Sequence, residues 1–201
     1  SGGNGIFCSP PNTYLFEMDD GRLLRIGVFQ KYDKNSGKET ECELKAWYYS
    51  PAGELVDTKG ITTELPKFGG FFKGKDAFFI ACGQECLEST SDPEKSEVIR
   101  VIKYDFSWNR IGECSFDREL TDVRVPFDGG LCSMTEGEDG YLYIHTTKQM
   151  ARKIGDDYHQ MNMVLMIDEK TMTGYNSPVK GTYGTVFVDG YMSESIANIG
   201  H

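Results

Sequence analysis

Residues 64–70 read ELPKFGG, and residues 125–130, VPFDGG, repeat their proline and their pair of glycines. Residues 186–190, VFVDG, repeat part of the same pattern. The glycines that end the three stretches, Gly70, Gly130 and Gly190, follow one another at intervals of 60 residues. A fixed period of this length is typical of propellers, solenoids and other arrays. These stretches therefore indicate the fold of the chain rather than its chemical activity.

Four short strands are predicted within each period, separated by turns that carry Asp, Asn, Gly or Pro. The connections are too short for crossover helices, which favours antiparallel meanders. The first unit, residues 12–67, has its strands at 12–18, 23–30, 43–49 and 54–58. The same order is predicted in residues 68–127 and 128–185, and residues 186–201 supply only the first strand of a fourth unit.

The fold class expected from this pattern is all-β, a β-propeller-like array of four-stranded antiparallel blades. It would contain about three blades and the first strand of a fourth, since propellers close with typically 4–8 blades. We therefore expect either a fragment of a longer chain or a last blade that another segment completes. A β-sandwich is the alternative. Residues 1–11 are predicted to be a linker, and residues 12–201 a single domain or fragment.

The bulk composition excludes several function classes. The chain of 201 residues has 21 basic and 31 acidic side chains, a formal net charge of −10. This charge argues against non-specific binding to nucleic acid or to an anionic membrane. No apolar run approaches the roughly 18 residues of a spanning helix, so membrane insertion is not expected. A hydrophobic content of 39% predicts a folded chain.

The six cysteines are too few for a disulfide scaffold in a chain of 201 residues. Buried free thiols in a β core are the favoured interpretation. A local disulfide between Cys82 and Cys86 is the alternative, since only these two lie close in sequence. Their three-residue gap does not match zinc-site spacing and no second pair is present, so neither a metal nor a cofactor is expected.

A candidate ligand site is predicted in the longest insertion, residues 147–160, which lies between two predicted strands. Long loops on a rigid scaffold concentrate binding groups. Two histidines flank this loop, and in a hairpin they would lie near each other. They are interpreted either as a polar pair in a ligand pocket or as a structural pair. The predicted ligand-binding residues are His145, Lys148, Gln149, Asp157, Tyr158 and His159.

Catalytic residues are not predicted. Acidic side chains at residues 19–20, 136–139 and 156–157 lie where turns need Asp and Gly in any case. No nucleophile elbow, zinc-protease motif or phosphate-binding loop occurs. Most aromatic side chains are expected in the core, although exposed ones would suit stacking on sugars.

Several stretches resemble a family of large, secreted proteins of Gram-positive anaerobic bacteria. They include residues 12–16 (NTYLF), 65–71 (LPKFGGF), 98–105 (VIRVIKYD) and 140–146 (GYLYIHT). The resemblance implies a surface-exposed, propeller-like region beside immunoglobulin-like or cell-wall-attachment modules, and it implies no activity. In that family a Cys-His-Glu-Met run typically follows the last of these stretches, whereas residues 147–150 here read TKQM.

Two functions are therefore expected as alternatives. The first is a secreted or cell-surface, non-catalytic binding or scaffold module, attached to other modules and engaging carbohydrate or a protein surface. The second is a fragment of an extracellular enzyme that acts on polysaccharide through carboxylate acid/base residues.

Overall fold

A computed structural model describes residues 12–128 and 132–176 of the chain. The described part is all-β, with strands organised in three antiparallel sheets. The predicted strand of residues 186–201 lies outside these residues, as do Gly130, Gly190 and the end of the third predicted unit. The 60-residue repeat and the ring arrangement therefore stay predictions.

The first and second sheets are four-stranded meanders in which each strand pairs with the next. The first contains β1 (Thr13–Glu17), β2 (Leu23–Tyr32), β3 (Glu39–Tyr49) and β4 (Leu55–Thr62). The second contains β5 (Lys67–Lys73), β6 (Phe78–Gly83), β7 (Glu97–Tyr104) and β8 (Arg110–Asp117), with a short helix α1 (Pro93–Ser96) before β7. The predicted order of strand, turn and strand is confirmed in both.

The third sheet follows a second short helix, α2 (Arg118–Thr121). Its strands β10 (Ser133–Glu136), β11 (Tyr141–Ile154), β12 (Asp157–Asp168) and β13 (Thr173–Asn176) form the same meander. Strand β9 (Val123–Pro126) is a fifth member that pairs with the far end of β11. Neither helix in the described ranges is long and apolar enough to cross a membrane.

The three sheets stack face to face, with the second sheet in the middle. Phe78 and Phe79 show this most clearly, because neighbouring residues of a strand point to opposite faces. Phe78 belongs to the buried cluster shared with the first sheet, which also contains Leu44. Phe79 belongs to the buried cluster shared with the third sheet, which also contains Ile144. All six residues of β6 are buried, as expected for a strand covered on both sides.

Residues 64–70, one of the stretches that define the predicted period, make close contacts between the second and third sheets. Gly69 and Gly70 lie in β5, at a register shift. A β-carbon on Gly69 would lie 2.4 Å from the ring of Phe127, and one on Gly70 would lie 2.9 Å from the methyl carbon of Met134. Glycine is needed at both positions because neighbouring side chains occupy the space above the backbone.

The cysteines of the described ranges form no disulfide. Cys42, Cys82, Cys86 and Cys114 are buried free thiols, which confirms the favoured interpretation for these four. Cys132 is also free but is partly exposed. The alternative, a local disulfide between Cys82 and Cys86, is wrong: Cys86 instead donates a hydrogen bond from Sγ to the carbonyl oxygen of Glu88, at 3.2 Å.

Candidate functional site

The predicted ligand loop, residues 147–160, is in fact the outer end of a long β-hairpin. Strands β11 and β12 continue through it and meet at a turn where Gly155 has φ = +67°. On its other edge β11 pairs with β9, with Lys148 opposite Pro126 and Gln149 opposite Val125. The expectation of an irregular loop was wrong because the hairpin tip is exposed and polar, so it lacks the apolar alternation that marks a strand.

His145 and His159 do not form a pair. His145 is buried in the middle of the third sheet, opposite Val164 on β12. His159 lies five positions before Val164 in β12, about 17 Å from it at the usual rise per residue. It is exposed, and its Nε2 lies 3.3 Å from the carbonyl oxygen of Ile154. Both the ligand-pocket and the structural interpretation of a histidine pair are therefore wrong.

Lys148 is an anchor inside the hairpin. Its side chain is buried, and Nζ donates a hydrogen bond of 2.5 Å to the carbonyl oxygen of Thr121 at the end of α2. Burial lowers the pKa of the Lys148 ammonium group. A buried lysine whose ammonium group already donates a hydrogen bond inside the protein is poorly placed to bind a ligand from solvent.

Gln149 and Tyr158 converge on Arg124, a residue that sequence reasoning missed. Nη1 of Arg124 donates to Oε1 of Gln149 at 2.5 Å, and its guanidinium carbon lies 4.1 Å from the centre of the Tyr158 ring. Nζ of Lys153 approaches the same ring at 5.2 Å. A planar guanidinium can donate hydrogen bonds and stack on a ring at the same time. Asp157 lies exposed at the turn, outside this cluster.

Arg124 and Arg118 also attach the hairpin to the second sheet, through residues 84–90 that leave β6. Nε of Arg124 donates to the carbonyl oxygen of Leu87 at 3.4 Å, and the carbonyl oxygen of Arg124 accepts from the amide of Cys86 at 2.9 Å. Nε of Arg118 donates to the carbonyl oxygen of Cys86 at 3.2 Å, and its Nη2 to that of Ala151 at 3.3 Å. The segment 84–90 is thereby fixed between two sheets.

A cavity of about 680 Å³ opens on this fixed segment. Its wall continues from residues 84–90 to α1 and the start of β7, and Leu65 contributes an apolar part. The carboxamide of Gln84 donates hydrogen bonds to the carbonyl oxygens of Glu94 and Glu97, at 2.8 and 2.9 Å, and so holds the two sides of the wall together. The volume lies within the range usual for ligand pockets.

The cavity wall is polar and carries both signs of charge. The acidic lining residues are Glu85, Glu88, Glu94 and Glu97, and the basic ones are Lys95 and Arg100. Glu97 and Arg100 form an ion pair whose closest approach is 2.5 Å, and Ser115 donates a second hydrogen bond to Glu97 at the same distance. The side chains of Glu88, Glu94 and Lys95 are exposed, and Nζ of Lys95 forms an ion pair of 3.0 Å with Asp92 that leaves its other hydrogen atoms to donate to hydroxyl groups.

A second acidic group lies at the junction of the second and third sheets. Glu136 ends β10 and accepts a hydrogen bond of 2.9 Å from the backbone amide of Lys75. Burial, and then the neighbouring charge of Glu136, raise the pKa of the Glu169 carboxyl group to about 7. Nζ of Lys103 lies 3.8 Å from that carboxylate. Sequence reasoning identified Glu136 but missed Glu169, because the two are adjacent only in the folded chain.

Other acidic candidates serve as turn residues. The backbone amide of Arg22 donates to Asp20 at 3.0 Å, and the hydroxyl group of Tyr143 donates to Asp139 at 2.6 Å. No cluster of three or more His, Cys, Asp or Glu side chains within residues 12–128 and 132–176 could hold a metal ion.

No protein-family model matches the sequence, and no curated protein matches it either. Solved structures with a similar fold include a trigonal crystal form of a chimera of Synechocystis apocarotenoid oxygenase and RPE65, with TM-score 0.50 and 12% identity over 86% of this chain. A mutant of the Synechocystis enzyme itself has TM-score 0.49 and 12% identity over 83% of this chain. This chain spans 38–40% of their length, and the likeness to the chimera concerns the fold alone.

Proposed function

We propose that this chain is part of a secreted or cell-surface, non-catalytic binding module that engages carbohydrate or a protein surface. The observation that carries the proposal is the cavity of about 680 Å³ lined by residues 84–90, α1 and the start of β7. Its wall is held by Arg118 and Arg124, which bond to both the second and the third sheet. A fixed, polar, concave wall binds a ligand without first losing conformational entropy.

The chemistry of the wall fits a ligand rich in hydroxyl groups. Carboxylates accept hydrogen bonds from hydroxyl groups and an ammonium group donates to them, and Glu88, Glu94 and Lys95 supply both kinds. Ring stacking on Tyr158 is a weaker contribution, because Arg124 and Lys153 already lie over that ring. We therefore place the ligand in the cavity rather than on the hairpin tip.

We further propose that the three sheets are consecutive blades of a β-propeller-like array. Each sheet contains a four-stranded meander, to which the third adds β9, and the middle sheet is covered on both sides. This is the packing that a propeller requires of every blade. The resemblance to secreted proteins of Gram-positive anaerobic bacteria supports a position at the cell surface.

Binding to a defined set of oligosaccharides tests the main proposal. We expect isothermal titration with chito-, xylo- or cello-oligosaccharides to give saturable binding to at least one series. Glu94→Ala and Lys95→Ala should weaken that binding about tenfold each, since each removes a hydrogen bond to a charged group. Tyr175→Ala, at an exposed position of β13, is the matched control and should bind normally. Failure of all three series to bind would redirect the proposal to a protein ligand.

The alternative function, part of an extracellular polysaccharide-active enzyme, depends on paired carboxylates. Glu136 and Glu169 are such a pair, but they share a hydrogen bond. Glycosidases need their two carboxyl groups about 5 Å or more apart. Incubation of the protein with the same polysaccharides, followed by a reducing-end assay, should show no release of sugar. Release that disappears in Glu169→Gln would establish the enzyme instead.

A further inference from the structure

We propose that the cavity of about 680 Å³ selects sugars that carry a protonated amino group, such as oligosaccharides of glucosamine. The inference rests on the proposed binding function and specifies the ligand of the same cavity. It depends on one property of the wall: each basic side chain there is already paired with a carboxylate, whereas two acidic side chains are not. A positively charged ligand therefore meets charges that are available, and a negatively charged ligand does not.

The two basic side chains of the wall, Lys95 and Arg100, are engaged inside the protein. Nη2 of Arg100 lies 2.5 Å from Oε2 of Glu97, and its Nη1 bonds to the carboxylate of Glu64. Nζ of Lys95 lies 3.0 Å from Oδ2 of Asp92. An anionic ligand that approached either cation would also meet the carboxylate beside it. This repulsion disfavours acidic sugars in the cavity.

The acidic side chains of the wall are only partly compensated by cations. Glu97 has the ion pair just described, and Oε2 of Glu85 lies 2.8 Å from Nζ of Lys38 in the β2–β3 connection. The carboxylates of Glu88 and Glu94 form no ion pair with any residue that the structure describes, and both side chains are exposed. An ammonium group bound in the cavity would form charge-assisted hydrogen bonds with these two carboxylates.

The backbone is held in place under both of these carboxylates. Glu88 lies in the connection that leaves β6, and its carbonyl oxygen accepts a hydrogen bond of 3.2 Å from Sγ of Cys86. Glu94 lies in the first turn of α1, where its amide donates to Asp92 at 3.1 Å. Its carbonyl oxygen accepts from Gln84 at 2.8 Å. Only the two side chains have to be ordered when a ligand binds, which limits the entropic cost.

The rest of the wall favours an amino sugar over a basic peptide. Leu65 and Leu87 provide apolar surface on which the C–H face of a sugar ring can pack. The hydroxyl oxygen of Thr90 accepts a hydrogen bond from the amide of Asp92 at 3.2 Å, and its proton stays available to donate to a sugar hydroxyl group. A protein partner usually buries about 800 Å² on each side, whereas a concave wall of this size suits a small ligand.

Isothermal titration with three tetrasaccharides of different charge tests the inference. They are the tetramers of glucosamine, N-acetylglucosamine and galacturonic acid, used at about pH 6, where the amino groups of the first carry a proton. We expect the glucosamine tetramer to bind about tenfold more tightly than the N-acetylglucosamine tetramer, because each of two exposed ion pairs adds about threefold. The galacturonic acid tetramer should not bind. High salt should remove most of the tenfold preference, since it screens exposed charges.

Substitutions that remove charge but keep hydrogen bonding locate the effect. The double variant Glu88→Gln, Glu94→Gln should bring the affinities for the glucosamine and N-acetylglucosamine tetramers to within about twofold of each other. Glu54→Gln, in the exposed β3–β4 turn of the first sheet, is the matched control and should keep the tenfold preference. This control separates the cavity from the net charge of −10, which attracts any cation.

A glucosamine tetramer that binds no more tightly than the other two would overturn the inference and leave the proposed function standing. So would a preference that the double variant retains. If none of the three binds while a cello- or xylo-oligosaccharide does, the inference alone fails, whereas failure of every sugar contradicts sugar binding as well. Tetralysine lacks hydroxyl groups and should bind less tightly than the glucosamine tetramer. Equal or tighter binding of tetralysine would assign the cavity to a basic peptide instead.

Discussion

The ring of Phe127 lies directly on the backbone of Gly69, so close that a β-carbon on the glycine would be 2.4 Å from Cζ. The two residues belong to the two stretches that suggested a period of 60 residues. Phe127 itself has φ = +54°, a conformation that a side chain with a β-carbon rarely adopts. The contact joins the second and third sheets at one point.

Gly69→Ala should therefore destabilise the protein by about 2–3 kcal/mol, because the added methyl group overpacks a filled site. Urea unfolding followed by fluorescence measures this. Gly60→Ala in β4 is the matched control, since the nearest atom to its β-carbon is a Glu43 side-chain oxygen at 3.5 Å. Equal midpoints of urea unfolding for the two variants would show that the ring of Phe127 does not exclude a side chain at position 69.

The pH dependence of stability should contain a contribution from Glu169. Burial and Glu136 raise its pKa from 4.5 to about 7 in the folded state, so the folded protein holds a proton that the unfolded chain releases. The contribution of Glu169 to the free energy of unfolding is complete below about pH 4.5 and is lost as the pH rises towards 7. Urea unfolding of the wild type and of Glu169→Gln at pH 5, 6, 7 and 8 measures the difference.

The free energy of unfolding of Glu169→Gln should fall less between pH 5 and 7 than that of the wild type, since glutamine mimics the protonated acid at every pH. Glu138→Gln, at an exposed turn position nearby, should leave the profile unchanged. Profiles of wild type and Glu169→Gln that run parallel would refute the raised pKa.

The buried thiols should be unreactive in the folded protein. Burial raises the pKa of Cys42 to about 12 and those of Cys82 and Cys114 to about 11, so almost no thiolate forms at neutral pH. Pulse labelling with iodoacetamide and peptide mass mapping should modify these three only in urea. Labelling of any of them at the same rate without urea would contradict their burial.

Arg124 should control the order of the hairpin. Arg124→Ala removes the hydrogen bond to Gln149 and the stacking on Tyr158, which together are worth about 1–2 kcal/mol. Amide hydrogen exchange of residues 149–158 should accelerate about tenfold, with little change in β6. Lys153→Ala should have a smaller effect, since this exposed side chain contributes only the longer contact to Tyr158. Unchanged exchange in Arg124→Ala would show that the ladder alone orders the hairpin.

Most of the strands could be predicted because turn residues and the alternation of apolar and polar side chains are local features of the sequence. At residues 18–22, for example, the Asp-Asp-Gly signal becomes a turn in which Gly21 has φ = +80° and its amide bonds to Met18. Strand ends were predicted less well. β3 begins at Glu39 rather than near residue 43, because its first residues extend a ladder whose partner, β2, also runs further than its apolar pattern.

The candidate site was only partly predictable. Gln149 and Tyr158 lie in the predicted segment, but both contact Arg124, which lies 25 residues before Gln149 in the chain and outside that segment. The cavity is formed by Leu65, the connection from β6 to β7 and the start of β7, which no spacing connects to residues 147–160. The pairing of Glu136 with Glu169 is likewise set by the stacking of two sheets. Such contacts depend on the tertiary arrangement, and a single sequence does not specify it.

The opposite directions of Phe78 and Phe79 have a consequence for how the molecule comes apart. Each ring fills a different core, yet the two share one peptide bond. If either outer sheet detaches, one face of β6 becomes exposed, and the packing of β6 against the remaining outer sheet is weakened. We therefore expect the three layers to melt in a single transition, and a chain shortened by one layer to be prone to aggregation.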